Sequence, residues 1–383
     1  MRVYLDNAAT TPLDSRVLAK MTPYFRLKYG NASSIHLLGQ EAFVDVQEAK
    51  TKIAHLIGGE PESIVFTSGA SEANNLIIKG VALANKSKGD KIIVSNIEHP
   101  CVRESANELK RAGFQVEYAE VDSQGVVTPA ALKKVLDKNT ILVSIMTVNN
   151  EIGTINDIAA LAKLTHEFGA YFHTDAVQAV PYLKLDIKKM GIDLLSLSAH
   201  KFYGPKGVGL AYIKKGIKLQ PLIVGGGQEN GLRAGTYNVP GIIGLAHALE
   251  LAYKDRAAYL KRVKTGRDYL WQKIKTTIGD VQVNGSLAKR VPANLNVMFR
   301  SIEGEAILID LAYQGVCVST GSACSATDLR ASYVLQAIGL NKNYLNSNIR
   351  FSLGRQTTKK ELDYTVKCLA ATVKRLRKFS PIK

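Results

Sequence analysis

The chain has 383 residues, of which 46% are hydrophobic and 22% charged, an ordinary globular composition that excludes a disordered, collagenous or fibrous chain and is long enough for one large domain plus a smaller one. The 50 Lys and Arg against 33 Asp and Glu give a formal charge of +17, which favours anionic partners at long range without identifying one. No apolar run is long enough to span a membrane, and the acidic, proline-containing start lacks a signal-peptide core, so a cytoplasmic protein is expected.

In chain order, apolar β-rich runs alternate with helical patterns. The runs are Ile64-Val-Phe-Thr67, Lys91-Ile-Ile-Val-Ser95, Ile141-Leu-Val-Ser-Ile-Met146, Tyr171-Phe-His-Thr-Asp175, Leu194-Leu-Ser-Leu-Ser198 and Gly209-Leu-Ala-Tyr-Ile213; amphipathic segments include Ala70 to Asn85 and Ile158 to Phe168. Such alternation predicts an α/β architecture with a mostly parallel sheet, whose functional loops lie at the carboxyl ends of the strands. A Gly-rich segment, Gly225 to Gly231, precedes a helical pattern from about Ile242 to Ile274, long enough to bridge two domains. From Val281 onward, shorter strands at Leu295 to Phe299, Val316 to Ser319 and Ile349 to Ser352, with helices between them, predict a smaller α+β domain.

The strand ends carry the chemistry. Thr67-Ser-Gly-Ala-Ser-Glu72 opens a helix with hydroxyls and free backbone N–H groups, which is a phosphate seat as well as ordinary capping. Asp175 ends a buried strand, where a carboxylate must meet a cation or a strong donor. Ser198-Ala-His200-Lys201 ends another, and a lysine at a pocket edge can form Schiff bases, although alone it reads as a surface residue. A phosphate seat, a carboxylate able to hold a pyridinium nitrogen and a lysine able to hold an aldehyde as an imine are together what pyridoxal 5′-phosphate requires.

With those three groups stand Tyr4-Leu-Asp-Asn-Ala-Ala-Thr-Thr-Pro12, Gly30-Asn-Ala-Ser-Ser-Ile-His36, Glu98-His-Pro100, Val148-Asn-Asn-Glu-Ile-Gly153, Asp175-Ala-Val-Gln178, Gly225-Gly-Gly-Gln-Glu229, Arg233-Ala-Gly-Thr236, Ser319-Thr-Gly-Ser-Ala-Cys324 and Ile349-Arg-Phe-Ser-Leu-Gly-Arg355. In this order they make the chain resemble, nearly end to end, the class V aminotransferases and, more narrowly, the cysteine desulfurases of the NifS/IscS type. The resemblance implies the type I fold of pyridoxal enzymes, with residues 15–255 as the cofactor-binding large domain and residues 1–14 and 256–383 as the small domain. It implies Lys201 as the imine-forming lysine and base, Asp175 on the pyridine nitrogen, and Gln178 with Asn150 on the ring hydroxyl. Ala70, Ser71, Ser198 and His200 would hold the phosphate, with Thr236 reaching it from the other subunit of a homodimer. His99 would stack on the ring and assist proton transfers, and Arg350 with Asn31 would clamp the substrate carboxylate.

Four cysteines, Cys101, Cys317, Cys324 and Cys368, without a C-x-x-C pair exclude a disulfide framework and a recognisable zinc site, so any cysteine chemistry is that of a single thiol. Cys324 lies in a run with no large side chain to anchor it, the loop character that the family's nucleophile needs. Cys317, alternating with Val316 and Val318, reads as a small core hydrophobe, as does Cys368 in the helical pattern Leu362 to Leu376; Cys101, two residues from His99, has no role in the family. The implied reaction removes sulfur from L-cysteine, giving L-alanine and a persulfide on Cys324 for a sulfur-acceptor protein serving iron–sulfur cluster assembly, tRNA thiolation or cofactor sulfuration. The housekeeping members' extra C-terminal tail is not found after the basic stretch ending at Lys383, which puts delivery to an iron–sulfur scaffold in doubt while leaving that scaffold among the expected acceptors, and Ser71 stands where relatives often have threonine. The alternatives are a selenocysteine lyase or another class V lyase or transaminase, an idle sulfur carrier, and direct nucleic-acid binding, for which no recognition motif is present.

Overall fold

The computed structural model describes residues 1–320 and 331–380. After β1 (Val3–Tyr4), a central sheet is built from β2 (Ile64–Thr67), β3 (Lys91–Ser95), β4 (Gln115–Ala119), β5 (Thr140–Ser144), β6 (Tyr171–Asp175), β7 (Leu194–Ser198) and β8 (Gly209–Ile213). Its seven strands run in the order β2-β8-β7-β6-β5-β3-β4. β7, β6, β5, β3 and β4 pair in parallel, and β8 is antiparallel to both β7 and β2. Thr67, Ser95, Asp175 and Ser198 therefore end their strands at one edge of the sheet, with Gly209 starting β8 beside them.

The strands are apolar on both faces because helices cover both. One core gathers Val46, Ile53, Leu161, Leu195, Leu245 and Leu249; the opposite one gathers Ile77, Val81, Val102, Leu109 and Val94. The edge strand β4 alternates exposure along Gln-Val-Glu-Tyr-Ala, and this mixed pattern goes beyond the apolar runs that the sequence offers.

The long helical pattern is broken. Val239–Lys254 and Arg256–Thr277 are separate helices that meet at Asp255, whose φ/ψ of −88/0 bends the axis while its N–H still reaches Leu251 O and its carbonyl still receives Tyr259 N–H. The two halves serve different cores. Leu245 and Leu249 pack on the central sheet, whereas Val263, Leu270 and Ile274 pack in a further core with Val3, Leu5, Phe299, Leu311, Phe351 and Leu369.

That last core lies around the antiparallel strands β9 (Val281–Val283), β10 (Asn294–Phe299) and β12 (Asn348–Ser352), with β10 central. β11 (Val316–Cys317) pairs in parallel with β1. The closing helix Lys359–Arg377 starts with a capping box between Thr358 and Glu361, and its Cys368 is buried as expected. Cys317 corrects the sequence reading: the strand alternation that buries Val316 and Val318 turns Cys317 to the other face, where it is half-buried and outside the core. No helix among the described residues is long and apolar enough to cross a membrane.

Candidate active site

A cavity of about 770 Å³ opens at the carboxyl edge of the sheet. The turn after β2 brings Ala70 and Ser71 to it. Gly69, before the helix Ala70–Ala84, carries no capping side chain, so the first N–H groups of the helix are left at a positive dipole end. β8 passes so close to this turn that a Cβ on Gly209 would sit 2.5 Å from Leu197 O and 2.7 Å from Gly69 Cα. Only glycine fits. From the next strands come Ser198, nearly buried, and His200, whose Nδ1 lies 3.1 Å from Thr10 Oγ1 and whose pKa is pushed down to about 4 by burial and then by Lys201 and Lys206.

Lys201 Nζ donates to the carbonyls of Ala8 (2.7 Å) and Ala9 (2.8 Å), and Gln178 Nε2 donates to Ala8 O at 2.9 Å. The amine is thus aimed by the N-terminal segment, which lines the same cavity. Asp175, at the end of β6, is 6% exposed; its Oδ1 accepts from Val177 N–H (3.0 Å) and its Oδ2 from Asn74 Nδ2 (2.8 Å).

His99 caps the helix Pro100–Arg111, and Nδ1 accepts from Cys101 N–H at 3.3 Å. Burial holds its imidazole below the ordinary value; Asp175 opposes this and Lys201 adds to it. Just before it, Glu98 is wholly buried. Its Oε1 lies 2.5 Å from Ser95 Oγ and accepts from Met146 N–H at 2.7 Å, and burial raises its pKa to about 8, so the carboxyl is neutral at pH 7.

Arg350, on β12, is 1% exposed, with Nη1 donating to Asn150 O at 2.9 Å and Nη2 to Asp6 Oδ1 at 2.8 Å. β12, a strand of the three-stranded sheet, thereby delivers a guanidinium to a cavity built on the central sheet. The same cavity is bordered by Glu151, whose carboxylate receives Ser332 Oγ at 2.6 Å.

Ala70, Ser71, His99, Asn150, Asp175, Gln178, Ser198, His200, Lys201 and Arg350 thus line one cavity. Asn31 and Thr236 do not: Asn31 is exposed, its Oδ1 taken by Ser33 N–H at 3.0 Å, and Thr236 is exposed beyond the Gly-rich segment. Cys324 lies outside the described residues. Sequence reasoning missed Asn74 and Glu98. Asn74 was within reach, being four residues after Ala70 on a helix whose start faces the cavity, so the same helix face had to meet Asp175.

An amine, a carboxylate that accepts two hydrogen bonds, an imidazole and an open helix start around one cavity fit the needs of pyridoxal 5′-phosphate. The comparisons with known proteins agree. The family description aminotransferase class V matches residues 3–365. The chain is 50% identical to "Cysteine desulfurase IscS" of Dictyoglomus turgidum over 100% of this chain and 97% of that protein. Among solved structures, a "NifS-like protein" superposes with a TM-score of 0.93 at 40% identity, covering 98% of this chain and 100% of that one. "SspA in complex with cysteine" superposes with a TM-score of 0.82 at 35% identity, covering 92% and 98%. The chain belongs to the class V aminotransferases and, within them, to the cysteine desulfurases of the NifS/IscS type.

Proposed function

We propose that this enzyme, as a cysteine desulfurase, takes sulfur from L-cysteine, releases L-alanine and holds the sulfur as a persulfide on Cys324 before passing it to an acceptor protein. What carries the reading is the meeting of Lys201, Asp175, His99 and Arg350 in one cavity. Pyridoxal 5′-phosphate, when bound, supplies the electron sink that weakens the bonds at Cα and Cβ of the substrate. Ala70, Ser71, Ser198 and His200 would hold its phosphate, with Thr236 of the partner subunit, while Asp175 would meet the ring nitrogen and Gln178 with Asn150 the ring oxygen.

Arg350 fixes the substrate carboxylate, and Lys201 takes the α-proton as general base; Asn31, exposed and outside the cavity, is left out of the clamp. Cys324, as thiolate, attacks the substrate sulfur. An S–S bond forms, the Cβ–S bond breaks, and its electron pair stays on the carbon side, which takes up one proton at Cβ to become the methyl group and regains at Cα the proton that Lys201 removed, giving alanine.

Residues 15–255 are read as the cofactor-binding domain and residues 1–14 with 256–383 as the small one; the separate core that joins Val3 and Leu5 to residues from Tyr259 to Val373 supports this division. The homodimer is supported by Thr236, exposed and outside its own cavity, and by exposed apolar side chains at Phe25 (60%), Leu27 (75%), Ile35 (92%) and Leu37 (77%). A cytoplasmic setting completes the reading.

The test is Cys324→Ser. It should retain the cofactor and bind L-cysteine but make neither persulfide nor alanine, whereas Cys317→Ser and Cys368→Ser should release sulfur at near the parent rate. Parent-rate alanine and sulfide from Cys324→Ser would move the assignment to a lyase acting by direct elimination.

A further inference from the structure

Cys101 takes no part in the reaction described above, yet its thiol sits among the groups that do. Its Sγ lies 3.0 Å from His99 Nδ1 and 3.2 Å from Asn74 Nδ2, and Asn74 gives its other amide hydrogen to Asp175 Oδ2 at 2.8 Å. The chain of contacts has a fixed sense. The Asp175 carboxylate can only accept, so the amide nitrogen of Asn74 faces it, and the same nitrogen then donates to sulfur. With the sulfur addressed by Asn74 and by the Ser71 hydroxyl, both as donors, the S–H is left to point at Nδ1.

The backbone N–H of Cys101, which can only donate, also addresses Nδ1 at 3.3 Å, a longer contact that favours the same tautomer but by itself holds it less firmly. We propose that Cys101 is a positioning residue for His99: its thiol and its backbone N–H together hold Nδ1 as an acceptor, so that the neutral imidazole carries its single proton on Nε2. Through Asn74 the same thiol ties the ring of His99 to the carboxylate of Asp175, so two groups assigned to the cofactor keep one mutual geometry.

The state of the thiol supports this role and excludes a nucleophilic one. Desolvation, then the charge of Asp175, pushes the Cys101 pKa up to about 12, so it stays a protonated donor through the working range. The charged groups that bear on His99 are Asp175 from β6, which favours the imidazolium, and Lys201, which opposes it; Glu98, beside it in the chain, is neutral at pH 7. Donors to Nδ1 oppose a second proton there. The inference rests on the reading of His99 as the imidazole that assists proton transfer, but its direct readout does not.

Nitrogen-15 spectra of histidine-labelled holoenzyme and the pH profile of kcat/KM test it on Cys101→Ala and Cys101→Ser. In the parent, the His99 ring should show Nε2–H with an unprotonated Nδ1. Cys101→Ala, which keeps only the longer backbone donor to Nδ1, should let the second tautomer appear beside the first and raise the His99 pKa and the acidic limb of the profile together, by roughly half to one pH unit. Cys101→Ser, whose hydroxyl can donate to the same nitrogen, should restore both. An unchanged tautomer and pKa in Cys101→Ala would overturn the proposal, even if stability or rate fell, because a packing role alone would give that pattern. Should His99→Ala keep full activity, the catalytic reading of His99 fails while the tautomer result still decides the role of Cys101.

Discussion

Arg350 and Asp6 form an ion pair of 2.8 Å at the mouth of the cavity, with the arginine side chain 2% and the aspartate side chain 17% exposed. Asn150 O holds the other terminal nitrogen of the guanidinium. The cation is therefore aimed before a carboxylate arrives, and its desolvation is already met by fixed partners, the condition under which a planar donor fork discriminates best.

Arg350→Lys should accordingly raise KM for L-cysteine about 10- to 100-fold, since an ammonium offers neither the fork nor the bidentate geometry. Asp6→Asn should raise KM by a smaller factor with little change in kcat, because it loosens the clamp without touching the reacting atoms. Steady-state alanine release measures both. An unaltered KM in Arg350→Lys would remove Arg350 from substrate binding.

Lys201 is held by two carbonyls at the cavity wall. The parent enzyme should be yellow, and borohydride should fix the chromophore to the peptide that contains Lys201. Lys201→Ala should lose at least about a hundredfold, and up to about ten-thousandfold, in alanine formation. Borohydride labelling of another peptide would displace the assignment.

Glu98 sets a pH signature of stability. Its folded pKa of about 8 lies above the ordinary 4.5. Between those values the folded state keeps a proton that the unfolded state has released, so this residue lowers stability as pH rises from about 4.5 to 8, by up to about 1.4 kcal/mol per pH unit. Glu98→Gln removes the difference in proton binding. Denaturation midpoints of parent and variant should match more nearly at pH 5 and diverge towards pH 8 in favour of the variant; parallel profiles would show that Glu98 is ionised in the fold.

Lys50 and Glu229 meet at 2.5 Å with side chains 7% and 2% exposed, tying the helix Leu37–Ile57 to the Gly-rich segment. Glu229→Ala would leave a buried ammonium and should cost about 3–5 kcal/mol in denaturant unfolding. Lys50→Met should cost less, because burial already raises the Glu229 pKa and the orphaned acid can stay protonated. The reverse order of costs would contradict this account of the pair.

The central sheet was legible because its strands are short, apolar on both faces and separated by helical periods; β3, β6, β7 and β8 have the limits that their runs suggest. Lys201, Asp175 and His99 were legible because a strand end in such a sheet has a known edge. The bend at Asp255 was not, since both halves of the pattern stay apolar and only their different cores separate them. Nor was the role of Ala8 and Ala9, whose backbone carbonyls leave no trace in residue type. Glu98 reads as a charged residue in sequence; only its enclosure makes it a neutral one.

The pairing of β1 with β11 also orders events during synthesis. Residues 3–10 leave the ribosome long before their partners, since Val3 pairs with Val316, and Ser352 accepts from Asn7 Nδ2 on its carbonyl and from Ala8 N–H on its hydroxyl oxygen. Gln178, His200 and Tyr203 hold residues 8–14 from the side of the central sheet, but the seat of Asn7 and Ala8 on Ser352 is missing until some 350 residues have been made. The residues of the central sheet are all present well before then and can assemble as a unit. A nascent chain therefore reaches a folded sheet with residues 8–14 held from one side, and the complete seating of Ala8 against Lys201 waits for β12.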